Sequence, residues 1–113
     1  VAHHRARHRR GLADHQVRQV DVVLGSAPAH RRRARRAVEV AEQSRAVALR
    51  SRELSAETDR LVRVAYHEGR GTSLELVAAA TTLRQAEITL ALREFDVVKA
   101  RVAAVISLSR CDY

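Results

Sequence analysis

Two stretches of this chain repeat their apolar residues every seven positions. In the first, Val40, Val47, Leu54 and Leu61 recur at that spacing, and Ser44, Ser51, Thr58 and Ala65 follow them one turn on. No glycine or proline interrupts the sequence from Arg33 to His67. A seven-residue period keeps side chains on one stripe of an α-helix, and large residues beside small ones suit close packing of helices. The stretch predicts a helix about 50 Å long. In the second, Leu76, Leu83, Leu90, Val97 and Ala104 recur every seven residues, with Ala79, Ala86 and Ala100 as companions and Arg93 as the exception. A further stripe is formed by Ile88, Phe95 and Val102, flanked by Ala91, Val98 and Val105. This second helix is expected from about Ser73 to Ser109, roughly 55 Å. One of its stripes can face the first helix. The other needs a cover from outside, which points to lateral neighbours.

Between the two patterns lies Tyr66-His67-Glu68-Gly69-Arg70-Gly71-Thr72-Ser73-Leu74-Glu75. Glycine tolerates the left-handed conformation that closes a helix. Thr72 and Glu75 have the Thr-x-x-Glu spacing of a capping box, in which each side chain binds the other residue's backbone N–H. A connection this short makes the helices antiparallel neighbours. The fold expected is all-α: a long, coiled-coil-like antiparallel two-helix hairpin over residues 32–113, preceded by a poorly ordered basic arm over 1–31.

That arm has a different composition. Gly11, Gly25, Ser26 and Pro28 punctuate it, and Val20-Asp21-Val22-Val23-Leu24 fits a short strand or a helical turn. Helix is expected to begin near Ala29, because the run from Arg31 to Arg36 contains only arginine and alanine, both good helix formers. Residues 1–36 hold ten arginines and two acids, Asp14 and Asp21, and so carry all of the net charge of +8. Residues 37–113 are neutral, with eleven basic and eleven acidic residues. Such an arm suits the phosphates of nucleic acid or an anionic membrane surface. A third reading is a solvated or non-native extension, since the same Arg/Ala/His/Gly mixture also arises when GC-rich DNA is read out of frame. The arm contains no aromatic residue on which bases would stack, and nucleic acid is not expected as a partner.

The remaining chemistry is sparse. Aromatics make up 3% of the chain, namely Tyr66, Phe95 and Tyr113, so Ala, Val and Leu must supply the buried surface. Cys111 is the only cysteine, which excludes an intrachain disulfide. Of the histidines at 3, 4, 8, 15 and 30, His4 and His8 are four apart, but no third ligand is placed beside them. There is no nucleophile–base pair and no phosphate-binding loop, so no enzyme activity, metal or cofactor is expected. No apolar run reaches the ~18–20 residues of a membrane span, and no signal peptide is expected.

The segment Gly69-Arg70-Gly71-Thr72-Ser73-Leu74-Glu75-Leu76-Val77, followed by Ala79 and Thr81-Thr82-Leu83, resembles the second-repeat hairpin tip of TolC-type outer membrane efflux proteins. Tyr66 matches an aromatic before the tip. Ala86-Glu87, Leu90-Ala91 and Phe95 match the descending helix. The resemblance covers about Val38 to Arg110. A second acid one turn after the first is usual there, and this chain has Ala78 and Ala80 instead. Residues 1–31 do not match.

The resemblance implies a homotrimeric channel in the outer membrane whose α-helical tunnel crosses the periplasm. Its hairpin tips meet a periplasmic adaptor protein, which joins it to an inner-membrane pump for the export of small molecules. On this reading the chain is a C-terminal fragment of such a channel. Gly69, Arg70, Gly71, Thr72, Ser73 and Leu74 are the partner-binding tip, and Glu75 is the candidate constriction residue. The alternative is a stand-alone coiled-coil interaction module with a nucleic-acid-binding basic arm.

Overall fold

The structure is a computed structural model that describes the backbone of residues 2–109 and the side chains of residues 16–19 and 26–109. The side chains of His3, His4, His8 and His15, and all of Cys111 and Tyr113, lie outside the described residues.

Two helices make up the described chain: α1, Ala2–His67, and α2, Ser73–Ser109. Both expected helices are present and antiparallel, with Glu42 of α1 bonded to Arg101 of α2 and Arg52 near Glu87. α1 starts earlier than expected. It continues unbroken through Gly11, Gly25 and Pro28, so helix replaces the start near Ala29, and the segment from Val20 to Leu24 is helical rather than a strand. Pro28 lacks the amide that would bond one turn back, yet the helix carries on through it. Its 66 residues correspond to about 99 Å at 1.5 Å per residue, which accounts for the molecule's extents of 100 × 23 × 13 Å.

The contact between the helices is thin. Among the described residues, Ala48, Ala79 and Val97 are the buried apolar ones, at 6%, 8% and 5% exposure. Along α2 the seam is the first of the two stripes: Leu76, Leu83, Leu90, Val97 and Ala104 are buried or half-buried, with Ala79, Ala86 and Ala100 beside them. The second stripe lies outside, with Ile88, Phe95, Val98, Val102 and Val105 all at least half exposed.

Along α1 the seam differs from the expectation. Val40, Val47, Leu54 and Leu61 are 58%, 72%, 64% and 53% exposed and do not face α2. Ala34, Ala41, Ala48, Ser55 and Val62 face it instead, also every seven residues. The reason is volume. α2 brings three leucines and a valine to the seam, and small residues opposite them let the helix axes approach. A seven-residue period gives the spacing of a seam but not its phase. α1 carries two such series, and the larger one is outside.

Candidate functional site

The tip is built from two local motifs. At the end of α1, Arg70 N–H donates to the carbonyl of Ala65 at 2.8 Å and Gly69 N–H donates to that of Tyr66 at 3.1 Å. These are the two bonds of a Schellman motif, and Gly69 takes its left-handed position with φ +76°. Gly71 meets a different demand. A Cβ there would lie 3.2 Å from Tyr66 N and 3.4 Å from Tyr66 Cα, so the returning chain lies directly on the last turn of α1. At the start of α2, Glu75 N–H donates to Thr72 Oγ1 at 3.2 Å, Thr72 N–H donates to Glu75 Oε2 at 3.4 Å, and Leu76 N–H closes the first turn onto Thr72 O. This is the capping box expected from the sequence.

The six tip residues are therefore brought together in one tight connection. Gly69, Arg70, Thr72, Ser73 and Leu74 are exposed, and Gly71 is half-buried. Leu74 is 78% exposed, the highest value among the exposed large apolar residues described. Arg70 pairs with Glu68 across the turn, and the Tyr66 and His67 rings meet edge to face with centroids 6.2 Å apart. Glu75, the candidate constriction residue, has its carboxylate bound to the backbone of Thr72. Its position in the first turn of α2 also suits the positive end of the helix dipole.

Behind the tip the hairpin has two unlike faces. One carries a ladder of ion pairs between the helices: Arg52–Glu87 at 4.0 Å, Arg45–Glu94 at 3.6 Å and Arg101–Glu42 at 2.9 Å. The other is a shallow groove lined by Ser51, Ser55, Thr58, Ala79 and Thr82, with Val47 and Leu54 along its α1 rim. Sequence reasoning did not single out the ladder. Its signal was present in charges seven apart, namely Arg45 and Arg52 on one helix and Glu87, Glu94 and Arg101 on the other.

Asp59 is the one buried charged residue among those described, at 6% exposure. It occupies the column of Arg45 and Arg52, seven residues further toward the tip, where α2 offers alanine instead of glutamate. Arg63 Nε donates to its Oδ2 at 2.8 Å, and Oδ1 has no hydrogen-bond partner in the protein. On the exposed side of α1, Arg60 grips both oxygens of Glu57, at 2.7 and 3.0 Å. Hydrogen bonding from Arg60 holds the Glu57 carboxyl below its ordinary range and raises the guanidinium in return.

Among the described residues there is no group of three or more potential metal ligands and no helix long and apolar enough to cross a membrane. The chain matches no protein-family model, no curated protein and no solved structure.

Proposed function

We propose that this chain is the C-terminal hairpin of the periplasmic tunnel of a TolC-type outer membrane efflux channel, a homotrimer in its full-length form. The hairpin is a stave of a wall. It does no chemistry and holds no cofactor. The observation that carries the reading is the second apolar stripe of α2, fully formed and uncovered. A helix with two seams belongs in an assembly where it has neighbours on two sides. The tip suits the end of such a wall, being short, locally fixed by caps and glycines, and presenting Leu74 and Arg70 to a periplasmic adaptor protein, which links it to an inner-membrane pump.

The DNA upstream of the Arg36 codon, translated in all three frames, tests the reading. A signal peptide, membrane strands and a first helical repeat are expected there, and their absence from every frame would end it. At the tip, Leu74→Glu is expected to reduce capture of the adaptor by at least about tenfold, because it places a charge in an apolar contact. An unchanged affinity would remove Leu74 from the contact.

A second reading is favoured by one observation. α1 runs as continuous helix through Arg31, Arg32, Arg33, Arg35 and Arg36, all five exposed. That is the form of a basic arm on a coiled-coil module, with duplex nucleic acid as its partner. It requires binding that weakens steeply between 50 and 200 mM salt, as for any contact with several phosphates.

A further inference from the structure

The end of the hairpin away from the tip concentrates positive charge. Arg31, Arg32, Arg33, Arg35 and Arg36 are exposed, and none of them makes an ion pair among the described residues. No acid occurs in α1 between Asp21 and Glu39, and none occurs in α2 after Asp96. The Arg45–Glu94 pair sets Arg31–Arg36 level with residues 103–108, the last turns of α2. Arg31, Arg32 and Arg35 line a shallow hollow over Pro28.

These arginines are spread around the helix. At about 100° per residue they occupy an arc of about 200°, in the order Arg31, Arg35, Arg32, Arg36, Arg33. Ala34, which faces α2, lies about 160° from the middle of that arc, so the arginine side of α1 is turned away from α2. A flat bilayer meets the middle of such an arc, whereas the two walls of a groove also meet its ends, Arg31 and Arg33. A helix held on a bilayer also buries an apolar face of its own, and at this level the face opposite the arginines is taken up by α2. The major groove of B-form DNA is about 12 Å wide and 8.5 Å deep, which admits one helix of about 10–12 Å diameter. The hairpin is 23 Å across its wider section and does not fit whole. With its arginines opposite α2, α1 fits the groove while α2 stays outside, behind it. Residues 1–36 hold no aromatic ring, so the stacking platform that single strands use is missing.

We propose that α1 lies in the major groove of duplex DNA over Arg31–Arg36. Arg31 and Arg35 bind the phosphates of one strand, with a phosphate in the hollow over Pro28. Arg33 and Arg36 bind those of the other strand, and Arg32 points to the groove floor, where base edges accept hydrogen bonds from arginine. This contact deepens the nucleic-acid reading, on which it rests, by naming the duplex form, the groove and the residues on each wall. It is independent of the channel reading.

The test is fluorescence anisotropy of a labelled DNA duplex two helical turns long, and of the RNA duplex of the same sequence, titrated with the 113-residue chain. Affinity for DNA is expected to fall by about 150-fold or more between about 50 and 200 mM salt, the fall that four phosphate contacts produce. Arg31→Gln and Arg33→Gln, at the two ends of the arc, are each expected to lower the logarithmic salt slope by about 0.9. Glutamine is also a good helix former, so helicity by circular dichroism should not change. Arg84→Gln removes the same charge from an exposed position on α2 and should leave the slope as it was. The RNA duplex is expected to bind at least about tenfold more weakly, because the deep, narrow major groove of A-form RNA does not admit a helix. Equal affinity for the two duplexes overturns the groove contact and leaves nucleic acid as the partner. So does an equal loss of slope in Arg84→Gln, since binding would then follow net charge alone. No binding to either duplex ends the contact and the nucleic-acid reading together. Cosedimentation with phosphatidylserine vesicles in the absence of duplex binding would give the arginines to a bilayer and overturn the proposal.

Discussion

Asp59 is the residue whose position fits its surroundings least. A carboxylate buried at a helix seam loses hydration, and one hydrogen bond from Arg63 offsets only part of that loss. The guanidinium of Arg63 is 57% exposed, so it would remain hydrated without its partner. Asp59→Ala is therefore expected to stabilise the hairpin by about 1 kcal/mol, measured by urea denaturation. A loss of stability would show that the carboxylate is satisfied in solution. The opposite sign is expected at the turn. Gly69→Ala forces a side chain into a left-handed backbone and is expected to cost about 1 kcal/mol. Thr72→Ala removes half of the capping box for a similar loss of about 1 kcal/mol. Glu57 provides a pH test. Its folded carboxyl lies below its ordinary value of 4.5, so its bond to Arg60 is fully present above that value and is lost as pH falls through the lower folded one. An NMR titration of the Glu57 side chain should therefore fall below 4.5, and Arg60→Ala should move it back up. No movement would mean that the pair is not populated.

At the scale of the helices, the turn was legible residue by residue. Thr72, Glu75 and the glycines act through local bonds that depend on spacing alone, and those bonds are the ones present. The two stripes of α2 were legible as well, though not which of them faces α1. The α1 seam was not. Its larger series is outside and its alanine series inside, and the choice is made by the leucines of the other helix, which a reading of α1 alone does not include. Asp59 was missed for the same reason, since its burial depends on what α2 places opposite. Substitutions discriminate the two assignments. At concentrations low enough for a monomer, Ala48→Leu is expected to cost about 1–3 kcal/mol by overpacking, whereas Val47→Ala should change stability by less than about 0.5 kcal/mol. Equal effects at the two positions would mean that the seam has been assigned to the wrong face.

At the scale of the molecule, a rod 100 Å long and 13 Å thick has little interior. Its few buried side chains and exposed stripes mean that most of its capacity for burial is directed outward, toward other chains. The ion-pair ladder adds little to stability, since its members are between 43% and 63% exposed and such pairs contribute about 0–1 kcal/mol each. Its importance lies elsewhere. A seam that repeats every seven residues looks the same after a slip of one repeat, so apolar packing alone does not tell correct pairing from an error of seven. The ladder does not repeat in this way, because its signs change along the helix: Arg52 and Arg45 face glutamates, and Glu42 faces an arginine. A slip in one direction sets Arg45 against Arg101. A slip in the other sets Glu42 against Glu94. Either mistake brings like charges together at one rung, so these weak surface pairs act as a proofreading mark for a seam that cannot count its own repeats.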